Sequence, residues 1–177
     1  MSISKNYIIN FVAFQIIWLV AVLGAAHQFL WPTVLSVLAF ILWQLTPSRR
    51  HHNDIRFVFF AICFGLVLDS LWQALGLIKY ELALPMIAPI WILLLWITFA
   101  LTFNHSLAWL KKKSWFPIIF GLIGAPLSYF AGTRLDAISY PEGPVLISAL
   151  LAFSWACVTF FFAQYEKIFA TPVETNS

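Results

Sequence analysis

Six long apolar runs, separated by short polar connections, leave this chain few folds to adopt. They lie near residues 7–26, 29–46, 57–78, 86–110, 115–133 and 144–165. A run of roughly 20 apolar residues is long enough to cross the hydrocarbon core of a bilayer as a helix. A helix also satisfies its own backbone hydrogen bonds there. Only 10% of the 177 residues are charged and 62% are hydrophobic, against roughly 25% charged in soluble domains. The expected fold is therefore all-α: a polytopic membrane bundle of six transmembrane helices, forming one domain over residues 1–170. A polar tail over 171–177 follows it. No internal repeat is evident, and a three-plus-three inverted repeat fits the helix number without sequence support. Lys5 precedes the first run and Gly24-Ala25-Ala26 closes it, as in a leader peptide. The run is nevertheless long, holds Gln15 and Trp18, and lacks a clear cleavage signature, so it is read as a retained span.

The placement of charge orients the bundle. Lys5, Arg49, Arg50, Arg56, Lys111, Lys112, Lys113 and Lys167 fall on one side of six spans, and Lys79 and Arg134 on the other. The positive-inside rule then puts both termini in the cytoplasm. Topology accounts for the net charge of +3, and no nucleic-acid partner is implied. Trp31, Tyr80 and Tyr140 lie near the outer boundary, and Trp43, Trp109 and Trp115 near the inner one, where aromatic belts form. Trp18, Trp72, Trp96 and Trp155 lie deeper. Cys63 and Cys157 sit within apolar runs and read as small buried hydrophobes. No metal or cofactor site follows from the motifs present.

Asp69 is the one charge inside the third run. A carboxyl group within a membrane helix needs water, a proton or a partner, and by default marks function. At 1.5 Å per residue it lies roughly 20 Å from Arg56 and roughly 15 Å from Lys79, slightly outside the midplane. Gly65, Asp69, Trp72 and Gly76 share one helical stripe, and Gln73 is one turn from Asp69. The two glycines would let another helix approach. On the fifth run Gly121, Ala125, Ser128 and Gly132 form a matching small-residue stripe, with Gly124 beside it. Pro126 frees a carbonyl there and predicts a kink. Tyr129 and Arg134 follow toward the outer surface, facing Asp69 in the functional reading; tight packing alone is the other reading.

A second polar group lies nearer the cytoplasm. Asn104, His105 and Ser106 end the fourth run, with Thr98 and Thr102 above His105, and Asn10 and Gln15 occur at similar depth on the first. These side chains either join helices by hydrogen bonds or line a site open to the inner headgroup layer. Haem ligation would need two facing histidines, but His27 and His105 lie at opposite depths. A Ser106-His105-Asp69 triad is disfavoured because Asp69 lies roughly 10 Å further out. His51 and His52 occupy a basic loop that can touch anionic lipid.

Longer motifs carry a resemblance. Pro89-Ile90-Trp91, Leu95-Trp96-Ile97-Thr98-Phe99-Ala100, Asn104-His105-Ser106-Leu107-Ala108-Trp109-Leu110 and Gly121 through Leu135 resemble the signature of a small family. The opening Asn10-Phe11-Val12-Ala13-Phe14-Gln15, with Trp18 and Gly24, fits it too. These are uncharacterised proteobacterial inner-membrane proteins carrying a domain of unknown function. Asp136 departs from the pattern, which has Gly after the leucine. The resemblance implies a bacterial inner (cytoplasmic) membrane location. It also implies an association with genes like those of cyclopropane-fatty-acid synthases, and hence with membrane lipid and lipid-modifying enzymes as partners.

The leading expectation is a protein accessory to, or an enzyme in, acyl-chain modification of membrane lipid or the response to membrane stress. Asp69 would donate or accept a proton, with Tyr129 and Arg134 as its catalytic companions. Gln73, Asn104, His105, Ser106 and Gln15 would contact substrate. The alternatives are a small proton-coupled transporter or channel using Asp69, and a membrane scaffold whose polar residues only hold helices together.

Overall fold

The computed structural model describes residues 5–169, with side chains through Tyr165. Its helices are α1 (Lys5–Ala26), α2 (Trp31–Gln44), α3 (Asp54–Ala74), α4 (Ile90–Phe103), α5 (Trp115–Arg134) and α6 (Pro144–Phe169). A 3-10 helix, Ala108–Lys112, precedes α5. Two short strands, β1 (Lys79–Tyr80) and β2 (Ile138–Ser139), pair antiparallel. The expected tail over 171–177 and the side chain of Lys167 lie outside the described residues.

The chain is helical as its apolar runs require. Four helices, α1, α3, α5 and α6, are long and apolar enough to cross a membrane. α2 and α4 have 14 residues each, about 21 Å at 1.5 Å per residue, shorter than the runs at 29–46 and 86–110 predict. Local chemistry explains the difference. Pro32 sits in the first turn of α2 and Pro47 follows its end. Pro89 caps the start of α4. At its other end Asn104 and His105 leave the helix to reach Asp54. α3 begins earlier than expected, because Asp54 Oδ2 accepts the His51 N–H at 2.8 Å and a carboxylate suits a helix N-terminus.

Neighbouring helices run in opposite directions. Asn10 near the start of α1 bonds Gln44 at the end of α2. Asp54 at the start of α3 bonds His105 beyond α4. Thr159, late in α6, donates to the Pro117 carbonyl at the start of α5. One end of the bundle therefore gathers Lys5, Arg49, Arg50, Arg56 and Lys111 to Lys113, and the other carries the β1–β2 ribbon. α4 packs centrally against α1, α2 and α3, while α5 pairs with α6. Rings of Phe57, Phe99, Phe103 and Phe162 fill the centre. Phe59, Val67, Leu127 and Phe153 are 62–70% exposed, an outward apolar face that water would not tolerate over this area. Cys63 and Cys157 also face outward, correcting their reading as buried.

The two strands follow helix ends that repeat one another. Leu75-Gly76-Leu77-Ile78-Lys79-Tyr80 and Leu135-Asp136-Ala137-Ile138-Ser139-Tyr140 are 60 positions apart (136 − 76). Gly76 has φ 70° and Asp136 φ 58°. The Leu77 N–H donates to the Trp72 carbonyl at 3.0 Å, and the Ala137 N–H to Gly132 at 3.1 Å. Both are Schellman endings, in which a left-handed residue lets the chain reverse out of the helix. Gly76 is thus a helix stop with no atom near its Cβ position, not the packing residue predicted. Asp136 holds the left-handed position that Gly76 holds at the other corner, a conformation Asp tolerates. The pairing Lys79↔Ser139 puts a pseudo-two-fold axis through the ribbon. Asp69 and Tyr129 share the same spacing of 60 and meet across the axis. Trp96 and Trp155 stack with centroids 4.3 Å apart. The ends of α3 and α5 are therefore a local repeat that the sequence reading did not find.

Candidate functional site

Asp69 is fully buried and accepts three hydrogen bonds. Tyr80 Oη and Tyr129 Oη donate to Oδ1 at 2.6 and 2.5 Å, and Trp96 Nε1 donates to Oδ2 at 2.7 Å. One carboxylate thus ties α3 to β1, α4 and α5. Gly65 makes room for this, since a Cβ there would overlap the Trp96 indole. Of the expected partners only Tyr129 arrives. Gln73 donates to the Leu84 carbonyl instead. Arg134 stacks on Phe130, 4.9 Å from its ring centroid. Tyr80, expected in an aromatic belt, is buried against Asp69. Burial first, and the nearby Asp69 charge second, hold its phenol well above the ordinary value, so it remains a donor. Burial also pushes Tyr140 up to about 12, and its hydroxyl has no partner among the described residues.

The small-residue stripe of α5 divides in two. Gly121 packs on the backbone of Trp155 and Ala156, Ala125 is buried, and Gly132 meets Ile138, whose Cδ1 would lie 2.8 Å from a Cβ there. Gly124 and Ser128 do not pack against a helix as predicted. They line an open crevice of about 350 Å³ beside α1, because α5 turns that face away from α6. Pro126 lies within a continuous helix.

At the basic end the polar side chains form one connected network. Asn10 is fixed by backbone groups: its Nδ2 donates to the Leu101 carbonyl at 3.2 Å, and its Oδ1 accepts from the Ser106 N–H at 3.4 Å and Oγ at 2.7 Å. Asn10 Nδ2 also donates to Gln44 Oε1 at 2.8 Å. The Gln44 amide nitrogen must then donate to His105, whose Nδ1 and Nε2 lie 3.3 and 3.0 Å away. His105 Nε2 lies 3.0 Å from Asp54 Oδ2. This polarity calls for the imidazole tautomer with its proton on Nε2, donated to Asp54. Asn104 donates to Asp54 Oδ1 at 3.0 Å, and Lys111 Nζ to Asn104 Oδ1 at 2.6 Å.

Asn104, His105 and Ser106 thus come together as expected. Gln15 does not join them and lines the α1–α5 crevice instead. Thr98 and Thr102 bond carbonyls of their own helix. Asp54 and Gln44 are the members that sequence reasoning missed. The available signal was a lone acid between Arg50 and Arg56.

Beside this network lies a cleft of about 960 Å³. Arg49, Arg50, His51 and Lys112 supply its basic wall, Trp43, Phe11 and Trp109 its apolar wall, and His105 and Ser106 its floor. None of the lining residues is acidic. Arg49 is steadied by Thr46, 3.1 Å from its Nη1, and by the Trp43 ring. Arg50 and Lys112 are exposed. Among the described residues no cluster could hold a metal ion.

No curated protein and no solved structure matches the chain. A family model described as a protein of unknown function, DUF2878, matches residues 7–161. That span holds both polar networks, the ribbon and both repeated helix ends, and the chain belongs to the DUF2878 family of proteins of unknown function.

Proposed function

We propose that the protein binds the headgroup of an anionic phospholipid in the cleft at its basic end and takes part in membrane-lipid modification. The observation that carries this is the cleft's pairing of three cationic side chains, Arg49, Arg50 and Lys112, with an aromatic wall. Guanidinium and ammonium groups match phosphate oxygens. Tryptophan rings suit the glycerol and upper acyl region. The excess of basic residues at this end favours the cytoplasmic leaflet of a bacterial inner membrane, with six crossings and both termini inside. His105, with its ring nitrogens engaged by Gln44 and Asp54, shapes the floor beside the bound headgroup, together with Ser106 and Asn104. Asp69 then serves as a joint, because both of its oxygens are occupied by donors from the chain itself.

Native mass spectrometry of the purified protein tests this reading. The wild type should retain phosphatidylglycerol over phosphatidylcholine. The combined variant Arg49→Glu, Arg50→Glu, Lys112→Glu should lose that preference by roughly tenfold or more, at about 1 kcal/mol per basic residue. Equal retention by a folded variant would overturn it. An unchanged cellular lipid profile, with proton-dependent uptake lost in Asp69→Asn, would support the transporter alternative. Unimpaired function of every such variant would support a scaffold.

A further inference from the structure

The α1–α5 crevice is separate from the basic cleft and has a different chemistry. Gln15 is the eleventh of the 22 residues of α1, and Ser128 is the fourteenth of the 20 of α5, so both lie well inside their helices. Both line the same cavity of about 350 Å³. Neither makes a hydrogen bond to any described residue. An amide and a hydroxyl left unpaired in hydrocarbon are costly. Plain acyl chain cannot satisfy them. The remaining walls are flat and aromatic, notably Trp18, Phe99 and Trp155, and no charged side chain lines them. Gly124 leaves side-chain volume empty in the wall, with nothing closer to its Cβ position than the Phe120 ring at 4.0 Å.

We infer that this crevice binds a neutral, planar, membrane-soluble carbonyl compound of the prenylated-quinone class. Its ring lies against the indoles, its carbonyl oxygens accept from the Gln15 amide and the Ser128 hydroxyl, and its chain leaves toward the bilayer between α1 and α5. Neutrality follows from the absence of charge in the lining. Membrane solubility follows from the position of the opening along the apolar helices.

The probe is a short-chain prenylated benzoquinone titrated into the full-length protein in nanodiscs, read by quenching of tryptophan fluorescence. Saturable quenching at one site per chain is expected. Gln15→Leu and Ser128→Ala should each weaken binding roughly threefold to tenfold, as loss of one hydrogen bond implies. Gly124→Leu fills the crevice and should abolish saturable binding. A Cβ at Gly124 meets nothing closer than the Phe120 ring at 4.0 Å, so that variant keeps the fold, checked by circular dichroism. Arg50→Glu should leave quinone binding unchanged, which separates this site from the headgroup cleft. Non-saturable quenching, or binding by Gly124→Leu equal to wild type, would overturn the inference. So would a disulfide between two chains carrying Gly124→Cys, because a second copy would then occupy the crevice.

Discussion

Asp69 gathers donors from three segments that are distant in sequence, so its first effect is on stability. In Asp69→Asn one carboxylate oxygen becomes an NH2 group, which must face at least one of Tyr80, Tyr129 and Trp96. A loss of about 1–3 kcal/mol is expected, the cost of leaving a buried donor unmatched. Thermal unfolding in detergent reads it, and Tyr80→Phe should cost less because it removes only one donor. At Asp136 the backbone sits at φ 58°, so Asp136→Gly should be neutral or stabilising by up to ~1 kcal/mol, and Asp136→Val destabilising. The same unfolding measurement orders the three proteins. Asp69 itself was legible, since a lone charge in an apolar run stands out. Its partners were not. Tyr80 looked like a belt residue because nothing in the sequence shows the loop after α3 folding back over the helix end.

Among the elements, close packing of α5 on α6 is the most sensitive contact. Gly121→Val would drive a side chain into the Trp155–Ala156 backbone and should cost about 1–3 kcal/mol. Gly124→Val, one turn away on the crevice face, should fall within about 0.5 kcal/mol of wild type. Equal effects would contradict the assignment of faces. Apolar runs located all six helices because length and hydrophobicity are local properties. Helix ends and faces depend on tertiary partners, so α2 and α4 came out shorter than their runs and Gly76 proved to be a stop. The repeat escaped notice because only Leu, Ile and Tyr recur across the two corners. Their equivalence lies in backbone geometry, with Gly and Asp serving the same left-handed turn.

At the scale of the whole molecule, the helices bring two polar systems to different depths. The ribbon-end carboxylate joins α3 to β1, α4 and α5. The basic-end network runs from Ser106 through Asn10, Gln44 and His105 to Asp54 and borders the cleft. The sequence placed Asn104, His105 and Ser106 at this end. It could not pair His105 with Asp54, 51 residues away, since no local pattern links the start of α3 to the end of α4. Headgroup binding in the cleft is most directly tested with a photoreactive phosphatidylglycerol in membranes containing the wild-type protein, mapping adducts by peptide mass spectrometry. Adducts concentrated in residues 43–51 and 104–112, and lost in the Arg49, Arg50, Lys112 charge-reversal variant, are the predicted result. Adducts spread evenly over the outward apolar surface, or gathered at the ribbon end, would contradict it.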